Sequence, residues 1–317
     1  MCLHLFSMKN IFNIGLCLWM TGMVAQNQID TSYTALGTFN KEKSKFPFIK
    51  MVQRADIKTV KQIENLVYKN KDSRALHLDA YFKSQKQLQP AVVLIHGGGW
   101  KSGNKSQMHD LAKEIAAKGY ACFAVEYRLA AEAKYPAAVL DVKTAIQYIK
   151  SNAAKFNVDA NKIAVLGCSS GAQLAALIGT TNNHPEFEER NDLKYNTTVH
   201  AIISMDGILA FHHTESAEGK VAAFWLDGSY EEKPQVWQQA SALTHCDKNT
   251  PPTLFINSDI PRFHAGRDDM IAILNKLHIY SEVKTISNSP HSFWFFEPWF
   301  DEIVVYSTQF LDKVFKS

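Results

Sequence analysis

The stretch KIAVLGCSSGAQLAAL, residues 162–177, constrains the fold more than any other part of the chain. Its first half, through Leu166, is a continuous apolar run of the kind found in strands buried on both faces, and its second half reads as an apolar helix. Between the two lie Gly167, Cys168, Ser169, Ser170 and Gly171. A strand that turns directly into a helix brings the residues two before and two after the apex close together, so neither can carry bulk. Glycines meet that demand only with Ser169 at the apex. Centring the turn on Ser170 would need glycines at 168 and 172, where cysteine and alanine stand. The spacing is Gly-x-Ser-x-Gly in one register, in the strand–turn–helix context that this motif requires. It makes Ser169 a candidate nucleophile and aims the N–H of Ser170 at any oxyanion formed beside it. Cys168 is assigned to packing at the strand end. The competing explanation is a tight turn with incidental serines.

The remaining chain alternates in the same way. Residues 57–69 and 75–83 show period-2 patterning and predict an antiparallel pair. Strands are expected at 91–95, 121–129, 199–207, 252–258 and 280–287. Helices are expected at 106–119, with Gly119 as its stop, at 135–156, with Pro136 in the first turn, and at 268–278 and 301–315. Residues 210–250 read as a helical, irregular cap or insertion. Asp141 and Arg128 are expected to pair and fix the long helix to the sheet. No linker or internal repeat interrupts the pattern. The expectation is one α/β domain over 57–317, with a mostly parallel central sheet covered by helices on both faces, preceded by an irregular surface lead-in over 26–56.

The N-terminus follows different rules. From Met8 the chain carries Lys9, an apolar run from Ile11 to about Val24, and then Ala25. This reads as a secretory signal peptide over residues 1–25 and predicts a secreted or periplasmic protein with no membrane span after cleavage. Cys122, Cys168 and Cys246 remain after such a cut, and their spacing defines neither a disulfide framework nor a metal pair.

A second glycine-rich motif, HGGGW (residues 96–100), follows the apolar run at 91–95. Consecutive glycines let a loop fold back with its N–H groups exposed. Gly98 and Gly99 are candidate donors to an oxyanion, together with Ser170, and one such donor is typically worth ~3 kcal/mol of barrier. His96 is assigned to holding the loop.

Taken with VEYRLA, KIAVLGCSSGAQLAAL and the late PHSFW, the HGGGW motif resembles the α/β-hydrolase esterases. The likeness is greatest to the branch of acetyl esterases, feruloyl-esterase-like proteins and carbohydrate esterases, with hormone-sensitive-lipase-like enzymes nearby. It covers roughly residues 58–316. The resemblance implies the α/β-hydrolase fold and a Ser-acid-His triad in that chain order. His291 stands where the family's histidine sits, after the last expected strand. Asp259, directly after the strand at 252–258, occupies the usual slot for the acid. Asp206 and Asp268 remain open as alternatives, because the sequence NSDIPRF lacks the family's glycine spacing. The elbow also departs from the commoner G-x-S-A-G-G-H form, and Gln173 reads as a polar filler on the helix.

Six aromatics follow His291 within HSFWFFEPWF. They suit sugar rings or core packing equally. Trp100, Arg262 and Trp294 are candidate substrate-binding residues, Arg262 because a guanidinium can grip a uronate carboxylate. No motif for a metal, a nucleotide or another cofactor is present, so none is expected. Lys and Arg number 34 against 31 Asp and Glu, a net charge of +3 without dense basic blocks, which gives no support for a nucleic-acid partner. The expected function is an exported serine esterase acting on acetyl esters of plant-type polysaccharides such as xylan or pectin. Pectin methylesterase and feruloyl esterase activities are alternatives on the same fold. A non-catalytic carbohydrate-binding relative is the rival of a different class.

Overall fold

The chain enters the computed structural model, which describes residues 29–71, 74–189 and 194–316, through helix α1 (Ala35–Glu42) and strand β1 (Lys50–Met51). There follow β2 (Lys61–Lys71), β3 (Arg74–Phe82), β4 (Gln89–Ile95), α2 (His109–Ala117), β5 (Ala121–Val125), α3 (Ala137–Ser151), α4 (Ala153–Phe156) and β6 (Val158–Cys168). The second half runs α5 (Ser170–Thr180), β7 (Ala201–Met205), α6 (Gly219–Leu226), α7 (Pro234–Ala240), β8 (Thr253–Ser258), α8 (Arg267–Lys276), β9 (Ser281–Ile286), β10 (Phe296–Glu297) and α9 (Phe300–Phe315).

The main sheet has the order β2-β3-β5-β4-β6-β7-β8-β9. The β2–β3 hairpin is antiparallel and β3 joins β5 antiparallel, while every pairing from β5 to β9 is parallel. The chain leaves β4 to build β5 on one side, then crosses back to build β6 on the other. Strand order therefore reverses at β4, and the crevice beyond the carboxyl ends of β4 and β6 is where such sheets take ligands.

Successive residues of β4 point to opposite faces. Val93 and Ile95 join one apolar core with Val165 of β6 and residues of α3 and α5, such as Val142, Ile146, Leu174 and Leu177. Val92 and Leu94 join a second core with Ala164, Leu166, Leu111 and Ile115 of α2, and Ile303 and Leu311 of α9. Both faces of the central strands are thus covered, as the unbroken apolar runs require. At the end of α2, Gly119 has φ +99°, a left-handed conformation that makes glycine the natural stop there. At the sheet's other end, Arg128 forks onto Asp141 of α3, Nε to Oδ2 at 2.8 Å and Nη2 to Oδ1 at 2.9 Å. Lys69 adds a third charge at 2.7 Å from Oδ1.

From residue 29 on, the segment expected as an irregular lead-in over 26–56 carries a helix and a short strand. Thr34 caps α1 by accepting from the Gly37 N–H at 3.0 Å, and β1 pairs antiparallel with β10, setting Met51 opposite Phe296. The segment is strapped to the loop ahead of α2, where the Gly103 N–H donates to the Asp30 carbonyl and the Gln107 amide donates to the Tyr33 carbonyl. Short period and mixed polarity hid this order, which is imposed by tertiary contacts rather than local propensity. The signal-peptide expectation for residues 1–25 lies outside the described residues. Among the described residues no helix is long and apolar enough to cross a membrane.

Candidate active site

Ser169 sits at the apex between β6 and α5 with φ +55° and ψ −123°, a conformation that a non-glycine residue holds only when its surroundings impose it. Its N–H donates to the Met205 carbonyl of β7 at 2.9 Å, which ties the apex to the neighbouring strand. A Cβ on Gly167 would collide with the carbonyl of Gly171, and one on Gly171 would collide with the carbonyls of Ile95 and His96. Both glycines are therefore demanded by close backbone approach, as the motif spacing implies.

Ser169 Oγ lies 2.8 Å from Nε2 of His291, and Nδ1 of the same ring lies 2.9 Å from Oδ2 of Asp206. The serine hydroxyl can donate to Nε2 when Nδ1–H donates to the carboxylate. Asp206 directly follows β7 with φ +49° and is 1% exposed. Both of its oxygens are held from β8, Oδ1 by the Ser258 N–H at 2.8 Å and Oδ2 by the Ser258 hydroxyl at 2.6 Å. The imidazole is packed as well as hydrogen-bonded. Phe263 stacks on its face with ring centroids 3.4 Å apart, and Trp294 meets it nearly edge-on at 5.3 Å.

The structure does not bring Asp259 to the histidine. Its carboxylate accepts from the Asn288 N–H at 2.9 Å and the Ser287 hydroxyl at 3.3 Å, in an exposed turn. The reason is the geometry of the end of β8. Ser258 faces Asp206, and the next residue points away toward the turn after β9. Asp268 is also elsewhere, bonded by Arg267 Nε at 2.8 Å at the start of α8, and that hydrogen bond holds its carboxyl below the usual range. One signal for Asp206 was present in the sequence. Gly207 follows it, and a Cβ there would strike Ala172 of α5, so the SMDG turn packs directly on the elbow helix.

The HGGGW loop lies against the elbow. A Cβ on Gly97 would come within 3.1 Å of the Ser169 Cβ. Gly98, Gly99 and Trp100 all have positive φ, and the loop closes on itself through the Ser102 N–H donating to the Gly98 carbonyl at 3.1 Å. Among the described residues the N–H groups of Gly98 and Gly99 have no hydrogen-bond acceptor. Ser170 begins α5, so its N–H has no intrahelical acceptor either. His96 braces the loop from beneath. Its Nδ1–H donates to the Gly97 carbonyl at 2.9 Å and its ring stacks on Tyr127, and burial pushes its pKa down to about 4, so it is neutral.

Trp100 is part of the scaffold. Its ring stacks on Trp225 of α6 at 4.9 Å, and its Nε1–H donates to Gln173 Oε1 at 2.9 Å. Gln173 in turn donates to the Ala240 carbonyl at the end of α7 at 2.8 Å. This buried amide links the elbow helix, the glycine loop and the 210–250 insertion, a role that reading it as a filler missed. Cys168 is buried with its sulfur 3.8 Å from Met205 Sδ, and burial pushes its thiol well above the usual value, away from a nucleophilic form.

Two cavities meet at Ser169. One is a cleft of about 520 Å³, bounded by Gly98, Gly99, Ser169, His291, Ser292 and Arg262, and on its far side by Tyr33, Thr34, Thr38 and Lys41 of the N-terminal segment. The other is a pocket of about 20 Å³ lined by Gly99, Trp100, Ser169, Asp206, Ile208, Glu218 and Phe263. Arg262 stands at the cleft wall with Nη1 3.1 Å from Glu218 Oε1 and its guanidinium over the Phe263 ring. Trp294 does not line the cleft. It is 3% exposed and belongs to the core under α9, as do the five other aromatics of its run. Sequence reasoning missed Phe263, Glu218, Ser258 and the N-terminal wall. None of these sits in a motif, and each is brought in by long-range packing. Among the described residues no group of three or more His, Cys, Asp or Glu side chains is placed to hold a metal ion.

Comparison with known proteins gives the family and the fold. Residues 78–268 match the model of the BD-FAE family. The esterase LipC of Mycobacterium tuberculosis is 30% identical over 226 residues, which cover 69% of this chain and 54% of LipC. The probable carboxylic ester hydrolase LipM of the same organism is 26% identical over 68% of this chain and 51% of its own length. The chain thus spans about half the length of these curated relatives. A solved structure described as a truncated form of carbohydrate esterase from gut microbiota superposes with a TM-score of 0.65 at 23% identity, covering 81% of this chain and 99% of that one, and shares the fold.

Proposed function

The chain belongs to the BD-FAE family, on the α/β-hydrolase fold, and from that premise we propose that it is a serine carboxylic ester hydrolase in which Ser169 is the nucleophile, His291 the general base and Asp206 the orienting acid. The observation that carries the proposal is the pair of hydrogen bonds on one imidazole, 2.8 Å to Ser169 and 2.9 Å to Asp206.

In this reading the Ser169 proton passes to His291 Nε2 as Oγ forms a bond to the ester carbonyl carbon. The carbonyl oxygen becomes an oxyanion and accepts from Gly98, Gly99 and Ser170 N–H groups that are oriented before substrate arrives. Asp206 accepts from Nδ1–H and steadies the imidazolium. The intermediate collapses, the carbon–alcohol bond breaks, and His291 returns the proton to the departing alcohol oxygen. Water then attacks the acyl-enzyme and gives a proton to His291, the carbon–Oγ bond breaks, Oγ takes the proton back, and the carboxylic acid leaves. No step requires a cofactor.

The cleft supports a sugar hydroxyl as leaving group. Its wall is rich in hydroxyls and charges, among them Ser32, Thr34, Thr38, Lys41, Lys101 and Ser102. These groups can hydrogen-bond the hydroxyls of a polyol. The reading therefore extends to ester groups on a polysaccharide or oligosaccharide, met outside the cytoplasm if residues 1–25 act as a leader. The test is turnover of a chromogenic acetate ester and of acetylated xylan by the wild type and by Ser169→Ala. Loss of both in the variant supports the reading. Hydrolysis that survives the substitution rejects it, and glycan binding without turnover by either protein identifies a binding module instead.

A further inference from the structure

We propose that the pocket of about 20 Å³ beside Ser169 is the acyl pocket, and that Ile208, Phe263 and the Glu218–Arg262 pair limit the acyl group to acetyl. The inference rests on the serine-esterase reading above and goes beyond it by saying which half of the ester lies in which cavity.

The assignment comes from the path of the proton. His291 must protonate the departing alcohol oxygen, so the alcohol lies on the His291 side of the carbonyl carbon. His291 and Ser292 line the large cleft and do not line the small pocket. The alcohol therefore occupies the cleft, and the acyl substituent enters the small pocket, which shares Gly99 and Ser169 with the cleft. A space of about 10–15 Å³ holds one water-sized group, so this one takes a methyl and little more.

The walls are stiff for identifiable reasons. Ile208 is 4% exposed and belongs to the same buried apolar core as Phe211 and Trp225. Phe263 is held between the His291 ring on one side and the Arg262 guanidinium, 3.9 Å from its centroid. Glu218, one residue before α6, is fixed by Arg262 at 3.1 Å, a contact between the 210–250 insertion and the turn after β8. Arg262 lines the large cleft and not the small pocket, and it acts on the pocket through Glu218, which it holds in place.

The orientation separates the candidate substrates. An acetylated sugar places a methyl in the pocket and the sugar in the cleft. A pectin methyl ester would have to place a whole uronate in the pocket, and a feruloyl ester an aromatic acid, and neither fits.

The experiment is the kcat/KM series for p-nitrophenyl acetate, propionate and butyrate on wild type, Ile208→Ala, Arg262→Gln and Ser169→Ala. The butyrate-to-acetate ratio is read on each preparation, so a variant that folds only in part still reports. The wild type is expected to lose at least about tenfold from acetate to butyrate, because an extra methylene in a filled site forces strain. Ile208→Ala and Arg262→Gln are expected to raise the ratio at least fivefold. Equal use of butyrate and acetate by the wild type, or an unchanged ratio in both variants, overturns the assignment while an inactive Ser169→Ala leaves the esterase reading standing. Activity in Ser169→Ala overturns the esterase reading and this inference with it.

Discussion

The carboxylate that faces His291 belongs to Asp206 at the end of β7, 2.9 Å from Nδ1, while Asp259 at the end of β8 bonds the backbone of Asn288 instead. The two strands are parallel neighbours in the sheet. The Ser258 hydroxyl and N–H, both on Asp206, make the difference, because they fix its two oxygens and leave Oδ2 able to accept from the imidazole as well.

Exchange of the two acids separates them. Asp206→Asn should lower kcat by about 10⁴, the scale of loss when an orienting carboxylate becomes an amide and the histidine tautomer is no longer fixed. Asp259→Asn should stay within about twofold of wild type, since its loss touches only an exposed turn. Steady-state kinetics on a soluble acetate ester checks both.

Gln173 joins three parts of the site through two buried bonds, and its removal leaves Trp100 Nε1 and the Ala240 carbonyl without partners. Each orphaned group costs about 1–3 kcal/mol. Gln173→Leu should lower the urea midpoint and reduce kcat more than it raises KM, because Trp100 follows the Gly99 donor directly. A variant with unchanged kcat would show that the glycine loop holds its position without this bridge.

Asp141 is fully buried and carries both Arg128 and Lys69. Asp141→Ala leaves Arg128 without its carboxylate and Lys69 with Glu189 alone, and should cost about 3–5 kcal/mol of stability. Equilibrium urea unfolding measures it. A loss below about 1 kcal/mol would mean that water reaches the cluster when the acid is gone.

His96 sets a pH dependence of known sign. Its ordinary pKa of 6.5 is pushed down to about 4 by burial in the fold. Above pH 6.5 both folded and unfolded chains hold it neutral, and its contribution is constant. As pH falls from 6.5 toward 4 only the unfolded chain takes up the proton, so stability falls, by about 3 kcal/mol in all, and this part levels off below pH 4. His96→Gln cannot titrate and should show a shallower loss of stability over that window. Identical slopes for the two proteins would contradict the burial argument.

Much of this site is legible in the sequence because its parts are local. The elbow is a contiguous strand–turn–helix, so steric demands at Gly167 and Gly171 write themselves into the spacing around Ser169. The glycine loop is equally local, and the unbroken apolar runs report strands covered on both faces. The acid is a different kind of problem. Asp206 and Asp259 each follow a buried strand, and only the direction of Ser258 across the β7–β8 pair decides between them. The aromatic run after His291 fails for a related reason, since composition cannot say whether Trp294 meets substrate or the core. The N-terminal wall is illegible because α1 and β1 are short and gain their order from the chain they lie against.

The central claim is that the Ser169 hydroxyl, drawn to His291, is the one nucleophile of the cleft. It is tested most directly by treating the folded protein with a fluorophosphonate and locating the adduct by peptide mass spectrometry. The account predicts a single adduct on Ser169, loss of esterase activity in step with labelling, and labelling slowed by orders of magnitude in His291→Ala. An adduct on Ser170 or Cys168, or full activity in a completely labelled protein, would contradict it.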